Sequence, residues 1–107
     1  MVGSNSTVNS ILNNQSAGTT SNIVSGIKIY STVAGNIISN NTIANLTTGG
    51  ATSMVEGIFI GGPGATGTAS GTTTFTINSN LIHSLFSSTG SAGAQVNGIY
   101  INNYVIT

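Results

Sequence analysis

A short run is written three times in this chain: Gly26-Ile27-Lys28-Ile29-Tyr30, Gly57-Ile58-Phe59-Ile60-Gly61 and Gly98-Ile99-Tyr100-Ile101-Asn102. In each copy a glycine precedes two isoleucines spaced two residues apart. On an extended backbone both isoleucines point to one face and the residue between them to the other. The glycines fall at positions 26, 57 and 98, so the spacing is 31 and then 41 residues. Reuse of one supersecondary unit at a period of roughly 20 to 50 residues is the mark of a stacked repeat.

The rest of the chain follows the same period. Thr7-Val8-Asn9-Ser10-Ile11-Leu12, Ile38-Ser39-Asn40-Asn41-Thr42-Ile43 and Thr76-Ile77-Asn78-Ser79-Asn80-Leu81-Ile82 are versions of one segment. Polar loops follow them at 16–21, 47–53 and 87–94, and each leads into the next Gly-Ile-x-Ile run. The longer spacing is explained by an insert over 61–72, which is rich in glycine and holds Pro63, so it reads as a loop bulging from the body.

Strands are expected throughout, since glycine, β-branched residues and asparagine crowd every segment and no apolar stripe appears at helical spacing. We place three per copy: the Gly-Ile-x-Ile strand; a second containing Ile37-Ile38, Phe75-Thr76-Ile77 or Tyr104-Val105-Ile106; and a third containing Ile11-Leu12, Ile43 or Leu81-Ile82. Asn40-Asn41 and Ser79-Asn80 fall between the second and third. Asparagine tolerates the left-handed backbone of a sharp corner, and its amide can bond the same amide one layer away. The expected core is a set of columns: Ile27, Ile58 and Ile99; Ile29, Ile60 and Ile101; Val8, Ile38 and Ile77; Ile43 with Ile82; Leu46 with Leu85. Few side chains are buried within a copy, so stability has to come from its neighbours.

Charge narrows the range of functions. Of 107 residues, charged types make up 2%, namely Lys28 and Glu56, against a usual fraction of roughly a quarter. Nucleic acid and acidic lipid are attracted by clustered Lys and Arg, which this chain lacks, so neither is expected as a partner. A hydrophobic content of 38% argues against disorder. No stretch reaches the roughly 18 consecutive apolar residues of a membrane helix, and Met1-Val2-Gly3-Ser4-Asn5 lacks the basic and apolar segments of a signal peptide. Without cysteine, neither a disulfide nor a thiolate metal site can form.

The pattern Ile-x-x-Asn-x-Ile-x-x-Leu occurs at Ile38, Asn41, Ile43 and Leu46 and again at Ile77, Asn80, Ile82 and Leu85, each time followed by a Ser/Thr/Gly loop and Gly-Ile-x-Ile. This resembles right-handed parallel β-helix repeats of the pectate-lyase-like type. More narrowly, it is similar to long repetitive secreted or surface proteins of bacteria that carry an export sorting domain. The resemblance runs from about Thr7 onward. It implies an all-β fold, a right-handed parallel β-helix (β-solenoid) of about three turns with three short strands per turn, and an extracellular or cell-surface location. Residues 1–107 are expected to be one segment of a longer repeat protein. Tyr104-Val105-Ile106-Thr107 reads as the start of a further second strand, and open strand edges invite end-to-end association, which so low a charge does little to oppose.

The enzymatic branch of that family does not carry over. Its lyases need acidic calcium ligands and a basic residue, its polygalacturonase relatives need several aspartates, and glycoside hydrolysis generally uses two carboxyl groups facing one bond. This chain has no aspartate, no arginine and one glutamate. No catalysis and no cofactor are expected in the segment.

Among single residues, His83 follows Ile82 and is expected to face solvent. Lys28 and Glu56 lie in adjacent copies and are expected to form, at most, a surface pair worth about 0 to 1 kcal/mol. Phe59 and Tyr100 are the outward residues of Gly-Ile-x-Ile and should stack, with the Lys28 stem continuing the row. Such a row either holds itself together as an aromatic ladder or offers a platform to sugar rings, so Phe59 and Tyr100 are the candidate ligand-binding residues. Thr72-Thr73-Thr74 with Thr76 resembles a flat ice-binding array but does not recur in other copies. Glycosylation patterns at Asn5, Asn14, Asn40 and Asn45 are expected by accident in a chain of this composition. The leading function is a structural or adhesive spacer of a secreted or surface protein, with polysaccharide or another surface protein as partner. The alternative is a carbohydrate-binding or carbohydrate-active β-helix whose catalytic residues lie elsewhere.

Overall fold

The computed structural model describes residues 5–7, 10–18, 20–31, 34–61, 73–89 and 91–102, with side chains described from Ser10 onward. Within them the chain is all-β. Ten strands follow in order: β1 (Asn5–Thr7), β2 (Ser10–Leu12), β3 (Gln15–Ser16), β4 (Ile23–Tyr30), β5 (Asn36–Ser39), β6 (Thr42–Thr48), β7 (Met54–Gly61), β8 (Phe75–Asn78), β9 (Leu81–Ser87) and β10 (Gln95–Asn102). No helix occurs among the described residues.

Three sheets form, and every pairing in them is parallel. β10, β7 and β4 make one, β1, β5 and β8 a second, and β2, β3, β6 and β9 a third, in which β6 pairs with the other three. Each sheet collects the same segment from successive copies. Ile27 lies against Ile58 and Ile58 against Ile99, while Ile29, Ile60 and Ile101 form the next row. Ile38 meets Ile77, and Ile43 meets Ile82 as Leu46 meets Leu85. A register shift of one residue would turn each of these side chains to the opposite face. Repetition in the sequence and pairing in the fold agree in these columns, but the expected place of Val8 beside Ile38 is corrected: Ser6 lies in register with Ile38, because the first copy is offset from the second by the same 32 residues that bring Ile11 to Ile43. Val8, most of the 61–72 insert, Thr72 and the 104–107 segment lie outside the described residues.

Val24, Ile27, Ile29, Ile38, Ile43, Leu46, Val55, Ile58 and Ile60 make up the core. Ile11, Phe75, Ile77, Ile82 and Leu85 pack against it from the outer strands. The two outer strands of the first sheet differ: Ile27 in β4 is 0% exposed, as is Ile58 in the middle strand β7, whereas Ile99 in β10 is 48% exposed.

The corners are set by backbone sterics. Asn40 and Ser79 adopt φ of 56° and 52°, immediately after β5 and β8. A second set, Asn13, Asn45 and Ser84 at 62°, 57° and 55°, interrupts the third sheet. Of the L-residues asparagine visits this region most readily, because its short amide can bond locally. Here the third strand is longer than the sequence suggested. It continues beyond the left-handed residue to include Leu46 and Leu85.

Candidate functional site

Alternation along β4, β7 and β10 sends Ile27, Ile58 and Ile99 to one face and Lys28, Phe59 and Tyr100 to the other. The latter three share one row. The Phe59 and Tyr100 ring centroids are 5.7 Å apart with planes tilted by 51°. Tyr30 joins from the adjacent strand, 5.5 Å from Phe59 at 59°. Both geometries fall within the tilted arrangements that aromatic quadrupoles favour. The Lys28 ammonium stands 4.7 Å above the Phe59 ring and 5.7 Å from that of Tyr30. A cation over an aromatic face is worth about 0.5 to 1 kcal/mol where water still reaches it.

Gly61 lies in register with Tyr30. A Cβ built on it would come within 2.6 Å of the Tyr30 and Phe59 rings, so the bare backbone there makes room for the cluster. Phe59 is only 7% exposed while Tyr30 is 48% exposed. The ring at the centre of the row is covered by its neighbours, and the open aromatic surface belongs to Tyr30, with Tyr100 half-buried. Phe59 and Tyr100 are therefore brought together as their spacing suggested, but Phe59 offers little face to a ligand.

The sequence reading missed Tyr30. The signal was present, since Tyr30 follows Lys28 by two residues on a strand and faces the same way.

The expected surface pair of Lys28 and Glu56 is corrected. Lys28 is drawn onto the Phe59 ring, and Glu56 is buried at 1% exposure and accepts a hydrogen bond of 2.7 Å from Ser25 Oγ. Ser25, Glu56 and Asn97 form one row, each immediately before the recurring glycine. That row was visible in the sequence as the residue preceding Gly26, Gly57 and Gly98, but its burial was not. Asn97 Nδ2 is also buried and has no hydrogen-bond acceptor among the described residues.

Other polar residues form columns between strands. Asn41 Nδ2 donates to Asn80 Oδ1 at 2.8 Å and to the Ser39 carbonyl at 3.0 Å. Asn80 Nδ2 donates to the Ile38 carbonyl at 2.8 Å, and Asn45 Nδ2 to Asn13 Oδ1 at 3.0 Å. His83 is exposed on β9, its Nδ1 3.0 Å from the Ser84 hydroxyl. Thr74 and Thr76 are exposed, and Thr76 lies against Ile37 rather than another threonine.

Among the described residues no group of three His, Cys, Asp or Glu side chains could hold a metal ion. No helix among the described residues is long and apolar enough to cross a membrane. The chain matches no family model, no curated protein and no solved structure.

Proposed function

We propose that the chain is a segment of a right-handed parallel β-helix, similar to the pectate-lyase-like repeats, and that it serves as a rigid structural or adhesive spacer of a secreted or cell-surface protein. The observation that carries this reading is register. Like residues 31 to 41 positions apart in sequence meet as parallel neighbours in all three sheets. A unit that repeats along one axis can be extended without redesign, because each layer contacts only its neighbours. Amide columns such as Asn41 with Asn80 support the same reading, since they need the layer spacing and nothing else. No catalysis is assigned to the segment. Self-association along the open edge of β10, where Val96 and Ile99 are each 48% exposed, is part of the proposal.

The test is to duplicate residues 27–57 within the chain and measure the particle by small-angle X-ray scattering. A stacked rod lengthens along one axis by about one strand spacing, roughly 4.8 Å, with an unchanged cross-section. Growth in all directions would reject it. Release of the protein by protease treatment of intact source cells tests the surface location.

A second reading, carbohydrate binding, is favoured by one observation: the half-exposed Tyr30 beside Tyr100 and Lys28. Polysaccharide binding that is lost in Tyr30→Ala and Tyr100→Ala, with the fold retained, would favour it. Phe59→Ala is a poorer probe because it also removes a covered ring.

A further inference from the structure

Asn97-Gly98 is the one Asn-Gly step in the sequence. The register between β10 and β7 passes from Asn97 with Glu56 directly to Ile99 with Ile58, as that between β4 and β7 passes over Gly26 and Gly57. Among the described residues β10 is an outer strand of its sheet. The Asn97 amide nitrogen is buried without a hydrogen-bond acceptor among the described residues. A Cβ built on Gly98 would meet nothing within 4 Å. The side-chain nitrogen is thus unheld, and the backbone nitrogen after it has no side chain to obstruct it.

We propose that Asn97 is a site of spontaneous self-modification that loosens β10. The Gly98 nitrogen, on losing its proton, attacks the Asn97 Cγ. The new C–N bond replaces the one to the amide nitrogen, which leaves as ammonia, and the product is a cyclic imide. Water then opens the ring at one of its two carbonyls, leaving aspartate or isoaspartate. The net change is one water consumed and one ammonia released, and no oxidant or metal takes part.

The location gives the change a consequence. Asn97 is in register with the buried Glu56, one strand spacing away, about 4.8 Å. Modification therefore places a second carboxylate beside the first in a partly buried row, where like charges on adjacent strands repel. An isoaspartate also adds a backbone atom and breaks the register of Ile99 and Ile101. The chain would carry a timer in its edge strand, set by the residue that replaces Ser25 and Glu56 in the third copy.

The experiment incubates the full chain, folded, at neutral and mildly alkaline pH. It is then cut after Glu56 with a glutamate-specific protease, and the 57–107 peptide is followed by fragmentation mass spectrometry. Asn78-Ser79 in the same peptide is the internal comparator. Conversion at Asn97 is expected to run on the order of tenfold faster than at Asn78, and Gly98→Ala, which has room for its Cβ, to slow it by a similar factor. In Asn97→Asp, amide exchange at Ile99 and Ile101 should accelerate, and adding Glu56→Gln should restore it. Equal rates at Asn97 and Asn78, or conversion in urea but not in the folded chain, would overturn the site. Unchanged exchange in Asn97→Asp would overturn its effect on β10.

Discussion

Two polar side chains show how much depends on a single residue here. Asn41 is 1% exposed and ties β5 to the next copy through Asn80. Asn41→Ala leaves Asn80 Oδ1 and the Ser39 carbonyl short of a donor, and is expected to cost about 1 to 3 kcal/mol, read from urea unfolding. Asn41→Asp should cost more, since two acceptors would then face each other. Glu56 presents the opposite case. A buried carboxylate held by a serine hydroxyl incurs a desolvation cost that no ion pair among the described residues offsets. Glu56→Gln keeps an acceptor for Ser25 and is expected to raise the urea midpoint. A lowered midpoint would mean that the charge has a partner the Ser25 contact does not reveal.

Strands make the same residue type matter differently according to its layer. Gly57, in the middle strand β7, has no room for a methyl group: a Cβ would lie 2.5 Å from the Gly98 carbonyl oxygen and 2.6 Å from Ile82 Cγ2. Gly57→Ala must push β10 or Ile82 away, and is expected to destabilise by about 1 to 3 kcal/mol. Gly98→Ala, at the equivalent place in β10, meets open space and should leave the melting temperature within experimental error. Comparing the two by thermal unfolding separates close approach between layers from backbone conformation as the reason for the glycine. Equal losses would point to conformation.

At the level of the whole molecule, stability comes from apolar columns and backbone pairing rather than from charge. With charged residues at 2% of the chain, ionic screening has almost nothing to act on. Melting in dilute buffer and at physiological sodium chloride should coincide. A shift of several degrees would show that the Lys28 contact with Phe59 contributes more than an exposed cation–π pair. Folding should be slow for a chain of this size, because each pairing joins residues some 31 to 41 positions apart and loop closure comes before the contact forms. Stopped-flow refolding checks this.

The sequence by itself determined the order of the strands and the register of four rows: Ile27, Ile58 and Ile99; Ile29, Ile60 and Ile101; Ile38 and Ile77; Ile43 and Ile82. It determined neither the full length of the third strand nor the register of the first copy against Ile38. A period-two apolar pattern repeated at a fixed interval has one pairing that puts isoleucine on isoleucine in every row. It also placed Asn40-Asn41 and Ser79-Asn80 at corners, and Phe59 with Tyr100 on one outward row, because turn chemistry and alternation are local properties. What only the tertiary structure decided depends on which neighbour covers a side chain. It turned Lys28 onto the Phe59 ring, brought Tyr30 into that cluster over Gly61, buried Glu56 beside Ser25 and left Asn97 Nδ2 without an acceptor among the described residues. Burial of an outward residue is fixed by what stands in the layers on both sides of it, and no pattern within a single strand carries that information.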